Sequence, residues 1–452
     1  MYDFIRISCC VPAIEVSDVT GNCEKIEAQL RQAEKAGSTV AVFPELCLTG
    51  YTCQDLFFQN TLLEDCQAAI RHLAQVTEEL DIIAIIGSPL RIWGQLYNCA
   101  VVLSRGELQG VVPKTYMPNY SEFYEKRWFS TAEELRNFSE CVLTAAELGM
   151  NTTEEDDYSI LLSSSSQFQL PDGTRFGIEL CEDLWTPLPP STMLCLSGAE
   201  LIFNLSASNE TIAKRDYRRQ LVSQQSARCL CGYVYVSAGC TESTQDLVFS
   251  GHSMIAENGG ILAENQKLLD TDYVLTMDID LGRIRADRMK NRSFADCARV
   301  NRAAVQSFPL SCFHLSEDQE GSDGSLHPIS KLPFVPSSRQ DRQQRCRDIF
   351  EMQVAGLKKR LTVTHSKAVI GVSGGLDSTL ALLVAVEAMA QLGRPKTDVI
   401  GITMPCFGTT DRTYNNSLEL MKTLGVTSVT IPIAAAVEQH FRDLGHDSPS
   451  PT

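Results

Sequence analysis

The feature that most restricts the fold of this chain is a repeated alternation between strand-like and helix-like patterns. Apolar runs of strand length at residues 5–11 and 39–43 are each followed by a segment with helical periodicity, at 22–36 and 62–80. Further strand-like runs lie at 82–86, 96–103, 176–180, 201–205, 233–236 and 252–255. Strands that alternate with helices in this way predict an α/β fold built in layers.

A second α/β segment follows a long polar stretch. Residues 316–344 are rich in Ser, Pro, Gly and charged side chains, a composition typical of a linker. Beyond it, three strand-like runs alternate with helical patterns: strands at 367–372, 399–404 and 428–433, and helices at 345–360, 377–392, 414–424 and 437–444. This order predicts the start of a parallel sheet.

These patterns divide the chain into parts. We assign residues 1–285 to a first domain, 286–338 to a linker and 339–452 to a second domain. Within the first domain, the polar residues at 144–157 and 163–166 interrupt the alternation. They predict an insertion at the surface.

Charge and cysteine content narrow the class of protein. The 39 Lys and Arg against 56 Asp and Glu give a net charge of −17, which argues against a nucleic-acid-binding protein. The N-terminus, MYDFIRISCC, lacks the basic and apolar regions of a signal peptide, and no apolar run is long enough to span a membrane. We therefore expect a cytoplasmic protein, in which disulfides would not persist. Because none of its 17 cysteines has the CxxC spacing of zinc ligands, we expect most of them to be buried apolar residues.

Three chemically distinct side chains follow strand-like runs. Glu45 comes two residues after the run at 39–43, Lys114 follows another such segment, and Cys181 follows the run at 176–180. A thiol can attack a carboxamide, a carboxylate can transfer its protons, and an ammonium can stabilise the oxyanion. Spacing alone leaves open that Glu45 is a solvated charge and Cys181 a core residue.

The sequence around these residues resembles the nitrilase superfamily. FPELCLTGY resembles the first catalytic block of that family, KTYMPNYSEFYEKRWF its lysine block and GIELCEDLW its nucleophile block, in the same order. The resemblance implies an αββα sandwich in which Glu45 is the general base, Lys114 the oxyanion stabiliser and Cys181 the nucleophile.

Further residues resemble the glutaminase branch that serves NAD synthetases. The segments NLSASNETIAKRDYRR and ESTQDLVFSGHSMIAENG match blocks of that branch. The resemblance implies a glutamine site formed by Tyr120, Phe123, Glu125, Ser208 and Lys214. An alternative remains open, in which Tyr120 only packs and the basic residues at 214–219 are a solvated helix face.

A glycine-rich loop opens the second domain. It lies between a strand and a helix, has no GK[ST] and is therefore not a Walker A loop. It consists of Gly371, Val372, Ser373, Gly374, Gly375, Leu376, Asp377 and Ser378. Backbone amides of such a loop can bind phosphate, and the Asp377 carboxylate can bind Mg²⁺. Two alternatives are a structural turn and the G-x-S-x-G elbow of serine hydrolases, which needs a later histidine such as His440 or His446.

GVSGGLDS resembles the pyrophosphate loop of ATP pyrophosphatases, and GITMPCFGTTDRTYNNSLEL resembles the adenine-side segment of NAD synthetases. One departure is Cys406, where that family has glycine. The resemblance implies a partial Rossmann-like domain and a homo-oligomer that uses L-glutamine, ATP with Mg²⁺, and deamido-NAD. The glutaminase half needs no prosthetic group.

The resemblance also implies a reaction and two alternatives to it. Cys181 releases ammonia from glutamine, and ATP activates deamido-NAD, which ammonia converts to NAD with release of AMP and pyrophosphate. Because the family continues beyond Thr452 with much of the deamido-NAD site, we expect a competent glutaminase and an incomplete synthetase. The alternatives are a stand-alone amidase with a vestigial ATP domain and a non-catalytic assembly or regulatory subunit.

Overall fold

A computed structural model describes residues 3–135, 142–150, 157–242, 247–266, 268–313, 324–336 and 338–446. The chain forms two compact units, Met1–Pro328 and Ile329–Thr452, and each is described by itself. Within the described ranges, no helix is both long and apolar enough to cross a membrane.

The first unit consists of strands and helices that alternate along much of the sequence. Its strands are β1 (Phe4–Val11), β2 (Val40–Val42), β3 (Ile83–Ile92), β4 (Gln95–Ser104), β5 (Glu107–Pro113), β6 (Val142–Thr144), β7 (Ser159–Leu162), β8 (Gln167–Gln169), β9 (Arg175–Leu180), β10 (Leu201–Ser206), β11 (Gly232–Ser237), β12 (Met254–Glu257), β13 (Gly260–Glu264), β14 (Tyr273–Asp280) and β15 (Leu310–Cys312). Its helices are α1 (Val19–Lys35), α2 (Asn60–Glu78), α3 (Ala132–Leu135), α4 (Pro190–Leu196), α5 (Lys214–Cys229), α6 (Leu281–Lys290), α7 (Arg292–Val300) and α8 (Arg302–Val305).

In the described part of this unit, the strands form two sheets that pack face to face. One sheet has the order β14-β1-β2-β3-β4-β5-β7-β6 and the other β13-β12-β11-β10-β9-β8-β15. Val40 and Val42 point into the core between the sheets, whereas Ala41 points to the outer core with α1 and α2. Helices α4 and α5 cover the outer face of the second sheet. Both faces of the central strands are therefore buried, and the predicted αββα sandwich is confirmed.

Two regions differ from the sequence analysis. The stretch at 144–157 is predicted as a surface insertion, but its first residue is the last residue of β6 and pairs with β7. Residues 151–156 of this stretch lie outside the described residues. Residues 286–338, predicted as a linker, include the second half of α6 together with α7, α8 and β15, and β15 pairs with β8 in parallel. Residues 314–323 and 337 of that stretch also lie outside the described residues.

The second unit is a smaller α/β layer. It contains α9 (Arg339–Thr364), β16 (Ala368–Gly371), α10 (Leu376–Gln391), β17 (Val399–Thr403), α11 (Asp411–Leu424), β18 (Thr427–Thr430) and α12 (Ala434–Asp443). The strands pair in parallel in the order β16-β17-β18. Apolar residues of α9, α10 and α11 pack with the sheet in a single core, which gives the predicted Rossmann-like start of a parallel sheet.

Candidate active site

Three strand ends bring Glu45, Lys114 and Cys181 together in the first unit. Glu45 lies just beyond β2, Lys114 directly follows β5, and Cys181 directly follows β9. The first two belong to one sheet and the third to the other, so the site forms where the two sheets face each other. Glu45 and Lys114 are fully buried, and Cys181 is 7% exposed.

The Glu45 carboxylate accepts hydrogen bonds from three parts of the first unit. Its Oε1 accepts from Lys114 Nζ at 2.6 Å and from Asn98 Nδ2 at 2.7 Å, and its Oε2 accepts from the Ala207 backbone N–H at 2.9 Å. Asn98 lies on β4, and Ala207 follows β10. Both carboxylate oxygens are therefore fixed in place, which suits a group that must meet a substrate in one geometry.

Gly87 of β3 allows the Glu45 loop to pass close to the sheet. A Cβ at this position would lie 2.3 Å from the Leu46 backbone nitrogen and 2.4 Å from the Pro44 carbonyl oxygen. We expect Gly87→Ala to lower the free energy of unfolding by about 1–3 kcal/mol, because the backbone must shift to relieve the overlap. Urea unfolding measures this change. Gly260→Ala is the control, since its Cβ would meet only a carbonyl oxygen at 3.4 Å, and an equal loss in both variants would contradict the account.

Lys114 lies between two buried carboxylates. Its Nζ donates to Glu45 Oε1, and also to Glu125 Oε1 and Oε2 at 2.8 Å. The Tyr51 hydroxyl donates to Glu125 Oε1 at 2.6 Å. Burial alone would lower the pKa of Lys114, but the negative charges of Glu125 and Glu45 outweigh burial and hold that pKa well above its usual value. The ammonium is therefore charged at neutral pH.

Cys181 occupies a strained turn next to these charges. It opens a short 3₁₀ helix with a φ of 40°, in the left-handed region that a non-glycine residue seldom adopts. Burial, reinforced by the negative charge of Glu45 and opposed by Lys114, raises the pKa of its thiol to about 12. Eleven of the 16 described cysteines are buried, so burial does not distinguish Cys181; its charged neighbours do.

The predicted glutamine-binding residues surround the same region. Lys214 Nζ lies 5.4 Å from the centre of the Phe123 ring and 5.3 Å from that of Trp185. It also donates to Asn209 Oδ1. Burial lowers the pKa of Lys214, and negative charge at Cys181 would oppose that shift.

The remaining two predicted binding residues differ in their surroundings. The Tyr120 side chain is 54% exposed, and its hydroxyl donates to both oxygens of Glu182 at 3.0 Å. Ser208 is buried, and its backbone N–H donates to Ser237 Oγ at 3.1 Å. Ser208 directly follows Ala207, whose N–H binds Glu45. Tyr120 is therefore exposed to solvent, whereas Ser208 is buried beside the residue that binds Glu45.

The glycine-rich loop of the second unit joins β16 to α10. Gly374 has a φ of 82°, and a Cβ there would lie 2.2 Å from the Thr413 carbonyl oxygen near the start of α11. Ser373 Oγ lies 3.2 Å from Ser378 Oγ, and within the described ranges no hydrogen bond joins it to a histidine. The starts of α10 and α11 thus meet beyond the carboxyl ends of parallel strands, where α/β folds usually bind ligands.

Comparison with known families agrees with this geometry. Residues 6–289 match the family described as carbon-nitrogen hydrolase. The chain belongs to that family. Its second unit contains residues 349–450, which match the family described as NAD synthase. The carbon-nitrogen hydrolase match covers the three strand ends that carry Glu45, Lys114 and Cys181, and the predicted nitrilase resemblance is confirmed.

Individual proteins are similar to this carbon-nitrogen hydrolase over both units. A protein named glutamine-dependent NAD(+) synthetase from Mycobacterium leprae is 37% identical over 444 residues, which are 98% of this chain and 63% of that relative. One of the same name from Thermotoga maritima is 29% identical over 432 residues, 95% of this chain and 65% of that relative. The chain thus spans slightly less than two thirds of the length of these relatives.

A solved structure shares the fold. The structure of a glutamine-dependent NAD(+) synthetase from Cytophaga hutchinsonii has a TM-score of 0.51 and 21% sequence identity. The similarity covers 98% of this chain and 67% of that chain. At this identity the similarity supports the order of the two α/β parts and nothing more specific.

Sequence reasoning missed Asp183, which connects two strand ends of the hydrolase unit. Its buried carboxylate accepts hydrogen bonds from the Leu180 N–H at 3.0 Å and from the Tyr116 N–H at 2.8 Å. The first partner precedes Cys181 and the second lies two residues after Lys114. The only sequence signal was that Asp183 lies two residues from a candidate nucleophile.

We expect Asp183→Asn to slow amide hydrolysis about 10–100-fold, mainly through kcat, because an amide leaves one of the two N–H donors without an acceptor and loosens the thiol relative to Lys114. Steady-state kinetics and thermal unfolding measure the effect. Glu179→Gln is the control: Glu179 is equally buried, but it accepts from Tyr233 and the Ser191 N–H. A folded Asp183→Asn variant with the wild-type kcat would contradict this role.

Proposed function

We propose that the first unit hydrolyses the side-chain amide of L-glutamine. The observation that carries the proposal is the buried Lys114 ammonium, which contacts Glu45 and Glu125 beside the Cys181 thiol. Buried charges are rarely kept unless they are paired, and this cluster lies at the strand ends rather than in a purely structural position. An intact cluster of this kind also argues against a non-catalytic subunit.

The proposed mechanism follows from the protonation states. Burial raises the pKa of Cys181 to about 12, so the resting nucleophile is a thiol and needs a base. Glu45 takes the thiol proton as sulfur bonds to the amide carbon, and Lys114 stabilises the oxyanion. Glu45 then gives the proton to the leaving nitrogen, which departs as ammonia. Water activated by Glu45 attacks the thioester, glutamate leaves, and the thiol is restored.

The residues around the thiol suit an amide that carries an α-amino acid. Lys214, partly desolvated against Phe123 and Trp185, supplies a cation for an α-carboxylate. Tyr120 and Ser208 supply hydroxyl groups for the remaining polar atoms, and Glu125 supports the site by holding Lys114. We propose these five residues, Tyr120, Phe123, Glu125, Ser208 and Lys214, as the glutamine-binding set.

We also propose that residues 371–378 bind the phosphates of ATP. Support comes from the exposed loop at the start of α10, where backbone amides and the helix field favour an anion. Asp377 is exposed in the first turn of α10, and among the described residues no group of three or more acidic, histidine or cysteine side chains could hold a metal. A single carboxylate fits Mg²⁺ that arrives with the nucleotide, since Mg²⁺ is commonly held by one or two carboxylates plus substrate phosphates.

The whole reaction is proposed from the names of the relatives. Those proteins are glutamine-dependent NAD(+) synthetases, and we propose that this chain contributes to the same reaction, in which ammonia from glutamine and ATP amidate deamido-NAD. Its expected cytoplasmic location and homo-oligomeric state stay predictions, and light scattering measures the second.

The test measures the two half-reactions separately. We expect the chain to release equal amounts of glutamate and ammonia from glutamine, detected by enzyme-coupled assays, and NAD formation is followed in the same samples with ATP, Mg²⁺ and deamido-NAD. Absence of glutamate release from a folded chain would refute the proposed function of the first unit. Absence of ATP binding in calorimetry would refute the proposal that the second unit binds ATP.

The glycine-rich loop gives a sharper test of ATP binding. We expect Gly374→Ala to weaken ATP binding by about tenfold or more, because a Cβ cannot fit 2.2 Å from the Thr413 oxygen and a φ of 82° disfavours alanine. Calorimetric titration with ATP and Mg²⁺ measures the affinity. Gly356→Ala on α9 is the control, since its Cβ would meet nothing within 4 Å. ATP affinity equal to wild type in Gly374→Ala would contradict the assignment.

A further inference from the structure

Arg218 on α5 is buried in a position where an arginine is costly. It is the largest fully buried side chain among the described residues. Sequence reasoning allowed that the basic residues at 214–219 are a solvated face, but Arg218 shares a face with buried Val222 and Gln225. That spacing of three to four residues was the signal that could have revealed its burial. Burying a guanidinium needs several hydrogen-bond acceptors.

Three of the acceptors of Arg218 belong to consecutive residues beside the candidate active site. Its Nη2 donates to Ser208 Oγ at 3.2 Å and to the Asn209 carbonyl oxygen at 3.1 Å, and its Nη1 donates to Glu210 Oε1 at 2.5 Å. A planar guanidinium fixes the directions of all three bonds at once. Arg218 therefore joins three successive residues of the loop at 208–210 to α5.

A histidine completes the surroundings of Arg218. His252 Nδ1 lies 2.9 Å from Arg218 Nη1, and its Nε2 lies 2.9 Å from Glu264 Oε1. Because arginine can only donate, Nδ1 accepts and Nε2 carries the proton. Burial lowers the pKa of His252 to about 4, so the imidazole is neutral at neutral pH.

The loop that Arg218 holds carries the polar groups proposed to recognise the substrate. Ser208 lies in it, and Asn209 accepts a hydrogen bond from Lys214 while its amide nitrogen donates to Glu122 at 2.6 Å. In the described part of the chain, Arg218 makes no hydrogen bond to Glu45, Lys114 or Cys181. Its direct hydrogen bonds thus reach the proposed recognition groups and not the bond-breaking groups.

We propose that Arg218 is a positioning residue that sets specificity for amides bearing an α-amino acid group, by fixing the loop at 208–210 and through it Lys214. This inference rests on the proposed glutaminase function. It predicts that disturbing the guanidinium weakens glutamine binding and leaves the chemistry of the thiol unchanged.

The test compares Arg218→Lys with Arg219→Lys, its neighbour on α5, whose side chain is 51% exposed and pairs with Glu264. We expect Arg218→Lys to raise KM for glutamine about tenfold with kcat changed less than about threefold, since lysine keeps the charge but its single nitrogen cannot replace the bonds made by two nitrogens of a planar guanidinium. Arg219→Lys should keep KM within about twofold. Iodoacetamide should alkylate Cys181 at the same rate in both variants.

A second variant keeps the inference testable if Arg218→Lys does not fold. Glu210→Gln removes one charged acceptor from a partly exposed side chain and should raise KM about threefold. A folded Arg218→Lys or Glu210→Gln variant with the wild-type KM, or with a loss confined to kcat, would overturn the role of Arg218. These results differ from failure of the proposed function, in which the wild-type chain itself releases no glutamate.

Discussion

Cys181→Ala is expected to abolish glutamate release from glutamine while the chain stays folded. The thiol forms the only covalent bond between protein and substrate in the proposed mechanism, so its loss should lower the rate at least about 1000-fold. Alanine keeps the Cβ that the strained turn at φ 40° already accommodates. A charged thiolate is disfavoured in this buried site, so no ion pair is lost in the resting state. Glutamate release and thermal unfolding are measured on the same sample.

A second buried cysteine gives the matched control for this result. Cys66 on α2 is fully buried, and burial raises the pKa of its thiol far above the usual range. Cys66→Ala should hydrolyse glutamine at nearly the wild-type rate. Persistent glutamate release by Cys181→Ala would show that another group attacks the amide, and the assignment of the nucleophile would be wrong.

Lys114→Met is expected to cause the largest loss of stability among the variants. It leaves the Glu45 and Glu125 carboxylates buried beside each other with no cation between them. Removing one partner from a buried ion pair typically costs about 3–5 kcal/mol, because the remaining charge is uncompensated. Urea unfolding at neutral pH measures the loss, and glutamine hydrolysis should be undetectable. Exposed Lys126→Met should change stability by less than about 0.5 kcal/mol.

The stability lost in Lys114→Met should depend on pH, and it should be larger at higher pH. Burial already raises the pKa of Glu125 in the wild-type chain, while Lys114 opposes the shift. Without that cation, the folded-state pKa rises further above the unfolded value, so the unfolded chain releases protons more readily. The free energy of unfolding of the variant should therefore fall as pH rises from about 5 to about 8. A variant that is equally stable across this range would contradict the paired arrangement.

The sequence predicts the site better than it predicts the sheets around it. Glu45, Lys114 and Cys181 follow strand-like runs, and strand ends in a layered α/β fold converge, so their meeting could be expected. Asn98 could not be assigned to the site, since it lies within β4 and reaches Glu45 only through the pairing of β4 with β3 and β5. Such register depends on contacts between residues far apart in the sequence.

The positions of helices and strands are likewise predicted from sequence only where local patterns mark them. The helix predicted at 377–392 is α10, Leu376–Gln391, because a long apolar pattern and the preceding glycines mark it locally. The sequence analysis predicts a linker at 286–338, of which the part from residue 316 onward has a linker's polar composition. Strand β15 nevertheless pairs with β8, more than a hundred residues earlier, and short-range periodicity carries no information on such a partner.

The central claim is that one thiol among many attacks the glutamine amide carbon. The most direct measurement is covalent labelling with the glutamine analogue 6-diazo-5-oxo-L-norleucine, followed by peptide mass spectrometry of every cysteine. We predict one adduct, on Cys181, that forms in step with loss of glutamate release and is suppressed by glutamine. An adduct on another cysteine, or complete inactivation with Cys181 unlabelled, would contradict the account.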